Sequence, residues 1–393
     1  MNKTLCINTG TALLLNEGSD AFSGYSSVSI NTGNAIVSRK MYDKLIQLNV
    51  SLNCGNMSII DICGNVVELA SGTTITESMS YCGCYLLCDG KLVIESAKGI
   101  ADVTGLYANT IFNPESVDLN TVKGITSIRR VHYPDGAKLL LKSITLDEET
   151  VFTMDKPAYF VDGTITALDS NSLGILSQKE VSFICNKLII HTSHYEKYRG
   201  MFKAGKIVLV PDDHTFVEDI KLDAATSAIY GDKLFVFGDL KIMHDQAKHL
   251  QGFASLIVKG TATMPVSAAK DFKKIGKADD YDFYEGVLVN VNGRETYDHA
   301  QLQEAQRLGI SYTIKVNGEV AFLEDVTAED IEAISAVYCN GVIYASGNAR
   351  SALDSKIRAM NGEILDIEMY GKEYESEQNN NENMINVGTY KQI

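Results

Sequence analysis

A ten-residue phrase is written three times near the start of this chain: LCINTGTALL at 5–14, VSINTGNAIV at 28–37 and VSLNCGNMSI at 50–59. Gly10, Gly33 and Gly55 mark the same position in each. Apolar residues alternate before the marker, as in Leu5/Ile7, Val28/Ile30 and Val50/Leu52, and a second apolar run follows it. Alternation on both sides of Asn-x-Gly reads as strand, turn, strand. A fixed period constrains the fold more than any other feature. A short unit with one apolar face has nothing internal to bury it against and must stack on its neighbours.

Looser copies run down the chain, marked by Gly90, Gly163, Asn186, Gly238, Gly260, Gly293, Gly318, Gly341 and Gly362. Asn109, Gly136 and Asp213 are further markers. Between phrases lie short helical patterns. Ser38 precedes the stripe Met41, Leu45, Leu48; Leu302, Ala305 and Leu308 share a side before Gly309. Thr327 and Asp330 have capping-box spacing ahead of Ile331 and Ile334, and Ser351 precedes Leu353, Ile357 and Met360. Helices this short are unstable alone. The expected fold is therefore α/β: a repeat solenoid of about 13–15 strand-turn-strand-helix coils with parallel sheets. A strand-only β-helix is the alternative.

Leu45-x-x-Leu48 leading into Val50-x-Leu52-Asn53 resembles the leucine-rich-repeat phrase, as does Ile331-x-x-Ile334 leading into Val337, Cys339 and Asn340. The resemblance is one of pattern and covers most of the chain. It implies a leucine-rich-repeat-like solenoid whose curved sheet binds other proteins.

A single solenoid domain is expected over 1–366, regular over 1–70 and 181–366 and irregular over 71–180. KADDYDFYEG at 277–286 reads as an insertion, and the polar, acidic stretch within 367–393 reads as a flexible tail. The net charge of −15 disfavours nucleic acid and anionic membrane surfaces as partners. No apolar run reaches the roughly 18 residues of a membrane span, and no secretory leader is apparent. Eight cysteines in a chain of 393 residues, several without a near mate, read as reduced thiols in the cytoplasm.

Chemistry-bearing residues are few. Asn8, Asn31 and Asn53 share one slot and are expected to form an amide ladder. Cys54, Cys88, Cys185 and Cys339 recur just before the marker, in a slot that suits a small inward side chain. Cys82, Cys84 and Cys88 are the candidate metal cluster, with no second Cys pair or nearby His to complete it. Gly200 to Lys206 imitates a phosphate loop, but Ile207 replaces its Ser/Thr and the helix precedes the strand. Asp279, Asp280, Asp282 and Glu285 lack the spacing of a calcium loop. His191, His194, Asp212, Asp213 and His214 are the candidate acid-base residues. The expectation is a non-enzymatic binding or scaffolding module without a cofactor, working on a protein partner. Association of copies through an uncapped N-terminal edge is the second reading, and a β-helix-type carbohydrate-active enzyme the third.

Overall fold

A computed structural model describes residues 3–15, 22–370 and 384–392. Among the described residues it is a mixed α/β structure of six sheets, mostly of parallel strands, with few, short helices and no closed barrel. The strand pairs whose register is described are parallel. The chain falls into two compact units, Met1–Leu209 with Gln378–Ile393, and Val210–Glu377.

In the first unit the strands form three groups. Thr4–Leu14, Ser27–Ser38 and Ser51–Ile60 lie side by side, joined at the edge of Thr4–Leu14 by Met384–Gln392. The second group begins with a broken row, Asn65–Glu68 and Thr74–Ile75, followed by Cys84–Ile94, Gly105–Pro114 and Ile125–Tyr133. The third follows the same plan: Lys138–Leu140 with Ile144–Thr145, then Ala158–Ala167, Ser182–His191 and Phe202–Val210.

The second unit holds two groups. In one, the rows are Thr215–Val217 with Ile220–Leu222, Lys233–Val236 with Leu240–Ile242, Ser255–Pro265 and Gly276–Tyr284. In the other every row is broken in two. Val287–Val291, Tyr312–Val316, Ile334–Cys339 and Ile357–Met360 make one sheet, and Arg294–Tyr297, Glu319–Phe322, Val342–Tyr344 and Glu363–Leu365 make its companion.

The repeated phrase sets the register. Ile7 stands opposite Ile30, and Ile30 opposite Leu52. These residues, with Leu5, Val28, Met41 and Leu45, make the apolar core of the first group. Each other group has a core of its own, centred on such residues as Leu86 and Leu106, Val161 and Leu188, Leu234 and Leu256, and Ile314 and Val337. After the marker Thr4–Leu14 and Ser27–Ser38 are buried on both faces. Leu14 and Val37 face their own core, while Leu13 and Ile36 meet Tyr85, Leu87 and Tyr107 of the second group.

The marker glycine departs from expectation in the first group. Each phrase there is one continuous strand that runs straight through its glycine, without positive φ at Gly33 or Gly55. The approach there is only moderately tight: a Cβ on Gly33 would stand 3.1 Å from the Gly10 carbonyl oxygen. In the last group, where Asn directly precedes Gly, the strand breaks as expected and the approach is far closer. A Cβ on Gly341 would lie 1.9 Å from the Gly318 oxygen.

Several helices match their signals. Arg39–Gln47 is capped by the Ser38 hydroxyl, which accepts from the Met41 N–H at 3.1 Å, and it buries Met41 and Leu45. Leu48 is exposed at the C-cap, because Asn49 with φ +55 ends the helix there. Gly309, with φ +64, ends His299–Arg307, again leaving Leu308 exposed. Thr327 and Asp330 do form the reciprocal box, on a 3-10 turn Asp330–Ala333. The Ser351 pattern is corrected: the helix is Gly347–Asp354, and Ile357 and Met360 sit on a strand.

Two sequence expectations are also corrected, and a third, the polar tail, falls mostly outside the described residues. Residues 276–284 are a strand paired with Ser255–Pro265, not an insertion. Within the expected tail, 367–369 form a 3-10 turn and 384–392 a strand, while 371–383 lie outside the described residues. The edge of Thr4–Leu14 expected to be uncapped is occupied by that strand. Among the described residues no helix is long and apolar enough to cross a membrane.

Candidate functional site

The candidate acid-base residues divide between the two units: His191 and His194 in the first, Asp212, Asp213 and His214 in the second. His191 caps the helix Thr192–Tyr198 by position only, and its ring meets that of His194 edge-on at 5.3 Å. The His191 Nδ1 is buried and has no hydrogen-bond partner among the described residues. Asp212 is an exposed turn residue.

Asp213 and His214 meet two residues that the sequence reading missed. In the rows of the fourth group, Thr215 pairs with Leu234 and Lys233 with Ser255, which sets His214, Lys233 and Ser255 in one column at the strand starts. The His214 Nδ1 lies 2.7 Å from Asp213 Oδ1, and its Nε2 lies 2.8 Å from Ser255 Oγ. Lys233 Nζ donates to Asp213 Oδ2 at 2.6 Å. That bond, then the one from His214, holds the Asp213 carboxyl down at about 2. An ionised Asp213 selects the tautomer in which Nδ1–H donates to it, leaving Nε2 to accept the Ser255 hydroxyl proton.

Ser, His and Asp in this order are the parts of an acyl-transfer triad. Such a triad also requires N–H donors aimed at a developing oxyanion. Here the N–H groups of Ala254 and Ser255 both donate to the Asp232 carbonyl, at 2.7 and 3.2 Å. The Asp213 carboxylate is also shared with a lysine. The arrangement fits a polar tie across three rows better than a nucleophile. Nothing in the sequence near His214 could have pointed to Ser255, 41 residues away.

The clefts of the first unit lie elsewhere. One of about 500 Å³ is lined by Val93, Tyr133, Leu139, Leu141 and Ile144 together with Glu95 and Lys142. In the same unit Asp162 is nearly buried, with its side chain 4% exposed. It binds Lys91 Nζ at 2.7 Å and Arg129 at 3.2 Å, and it accepts from Asn186 at 3.1 Å. Burial alone would raise its pKa, but Lys91, Asn186 and Arg129 outweigh it and hold the carboxyl below its usual range. In the second unit Asp330 is similarly buried, accepting from Thr327 and from His299 Nδ1 at 2.8 Å.

The thiols do not converge. Cys82 is exposed, Cys84 approaches the Cys82 carbonyl, and Cys88 is buried against the carbonyls of Ala70 and Lys91, where burial raises its pKa. Cys185 and Cys339 are buried in the expected inward slot, and Cys54 is half-buried. Among the described residues no group of three or more His, Cys, Asp or Glu is placed to hold a metal. The acids of 277–286 are engaged singly: Asp279 with Lys259, and Asp282 with Lys315. The false phosphate loop is confirmed as such, since Gly205 and Lys206 lie inside a strand.

The amide column is present. Asn31 donates to Asn8 and Asn53 to Asn31, each at 2.9 Å, and Asn8 donates to Asn386 at 2.9 Å. A second column joins Asn292, Asn317, Asn340 and Asn361 at 3.0–3.1 Å. These amides bind one another along the columns.

Four of the five groups end alike. Among the described residues, Ser51–Ile60, Ile125–Tyr133, Phe202–Val210 and Gly276–Tyr284 each have a strand neighbour on one side only, and each exposes large apolar side chains. These include Met57, Ile128, Ile207, Leu209, Tyr281 and Phe283. Compared with protein-family models, curated proteins and solved structures, the chain has no match in any of the three.

Proposed function

We propose that this chain is a solenoid of stacked strand-helix coils, leucine-rich-repeat-like in plan, that works as a binding or scaffolding module for a protein partner. The observation that carries this reading is the recurrence of one-sided strands with exposed apolar side chains: Ile128, Ile207 and Leu209 in the first unit, Tyr281 and Phe283 in the second. A strand with one free edge offers a row of unpaired backbone groups, and its outward side chains supply pockets or ridges for an extended peptide. Scattered apolar residues on a surface need no explanation; their repetition on edge strands does. The polar clusters support the same reading, since each is consumed by contacts within the chain. Eight unpaired thiols support a reducing, cytoplasmic setting.

The test is to place charge on these strands. The unaltered chain is expected to retain a protein partner on purification, and Ile128→Glu, Ile207→Glu and Tyr281→Glu together are expected to abolish that retention, with the circular dichroism spectrum and melting curve kept. Undiminished co-purification by a folded triple variant refutes the proposal.

A further inference from the structure

Four of the five groups hold four rows of strand each, supplied by consecutive sequence. The first group draws only three rows from consecutive sequence, Thr4–Leu14, Ser27–Ser38 and Ser51–Ile60. Its fourth row is Met384–Gln392, which follows the second unit in sequence but belongs to the first. This strand takes the place that an earlier row holds in every other group.

Its sequence fits that place. Ile385-Asn-Val-Gly-Thr389 repeats Ile7-Asn-Thr-Gly-Thr11 with one change, and the register sets Ile385 on Ile7, Asn386 on Asn8 and Thr389 on Thr11. Asn386 extends the amide column. Ile385 and Tyr390 pack against the first core, and Lys391 pairs with Glu68 at 2.5 Å. The strand has no strand neighbour on its other side among the described residues, and Asn386, Val387, Thr389 and Lys391 are exposed. Recognition therefore resides in the phrase and its register. None of these contacts depends on which copy of the chain supplies the strand.

We propose that the outer edge of Thr4–Leu14 is a strand-acceptor site, and that its second occupant is residues 384–392 of another copy of this chain. Exchange of an identical element between copies forms every contact it replaces, so it costs little beyond association itself. A strand added in parallel to an exposed edge draws affinity from backbone hydrogen bonds and specificity from alternate side chains. The occupant here is a sequence of the form Ile-Asn-x-Gly-Thr, in which the Asn continues the column and the Ile enters the core. This proposal is independent of the partner surface on the edge strands, and either can fail alone.

The test uses the unaltered chain. Two preparations, labelled with a donor and an acceptor dye, are mixed over a range of concentrations. Energy transfer is expected to rise with concentration and to fall at least tenfold with excess synthetic peptide 384–392, but not with a scrambled peptide or one carrying Asn386→Ala and Ile385→Asp. No transfer at any concentration overturns the proposal, and transfer insensitive to the peptide also overturns it by assigning association to another surface. A second arm measures anisotropy of dye-labelled peptide 384–392. The full chain carrying Ile385→Asp, whose own strand is weakened, is expected to bind it at least tenfold more tightly than the unaltered chain. Equal or absent binding by the two folded chains contradicts the acceptor site.

Discussion

Adding one methyl group at two equivalent markers is expected to have unequal effects. In the last group a Cβ on Gly341 would lie 1.9 Å from the Gly318 oxygen, 2.9 Å from its carbonyl carbon and 3.0 Å from the carbonyl carbon of Asn317. Relief to an ordinary contact of about 3.4 Å requires a shift of roughly 1.5 Å, against a row spacing of about 4.8 Å. The Gly318 carbonyl cannot swing aside freely, because it accepts the Val342 N–H at 2.9 Å. Overpacking of this kind costs about 1–3 kcal/mol or more, and the strained backbone bond adds to it. In the first group a Cβ on Gly33 would stand 3.1 Å from the Gly10 oxygen, needing only a few tenths of an ångström. That small strain is offset by the roughly 0.4–1 kcal/mol gained from restricting the unfolded chain.

Gly341→Ala is therefore expected to lose about 3 kcal/mol, and Gly33→Ala to change stability by less than about 0.5 kcal/mol. Urea unfolding followed by tyrosine fluorescence and circular dichroism measures both; the chain has 19 tyrosines and no tryptophan. Equal losses at the two positions, or a larger loss at Gly33, would refute the distinction between close and ordinary stacking.

Two further perturbations concern buried carboxylates. Asp162→Ala strands the ammonium of Lys91 and the guanidinium of Arg129, both partly open to water, so the expected loss is about 2–3 kcal/mol, less than for a wholly buried pair; a loss under about 0.5 kcal/mol would contradict the network. Because its folded pKa lies below the unfolded 3.8, Asp162 contributes stability above that value and loses it as pH falls through the folded pKa, so the variant should show a shallower acid limb. His299 has the opposite sign: its hydrogen bond to Asp330 raises its pKa, so its contribution is complete below 6.5 and disappears as pH rises through the folded value. His299→Gln should remove that alkaline loss of stability, and an unchanged pH profile across 5.5–8.5 would exclude the assignment.

What the sequence disclosed was the column structure. Apolar alternation put Ile7, Ile30 and Leu52 in one register, and the Asn slot predicted hydrogen bonds from Asn53 through Asn31 to Asn8. The stretch 71–180 looked irregular because its column positions are held by Ser71, Asn109 and Ser143, where glycine would have marked the row. The Ser71 and Ser143 hydroxyls accept the N–H of Lys91 and Thr164 instead. The strand at 384–392 was hidden by its polar preceding sequence, although its own five-residue phrase was in plain view. Ser255 and Lys233 were invisible beside His214 because only the lateral order of rows brings them there. One phrase also carried two backbone outcomes: Asn-x-Gly continues a strand, and Asn-Gly breaks it.

The central claim is that rows stack in parallel at one register, with 384–392 as the row next to Thr4–Leu14. Methyl-methyl nuclear Overhauser measurements on the selectively labelled full chain test it most directly. Stacking predicts cross-peaks linking Ile385 to Ile7, Ile7 to Ile30 and Ile30 to Leu52, and in the last group Ile314 to Val337 and Val337 to Ile357. Cross-peaks displaced by one residue along any row, or none between rows, would contradict it.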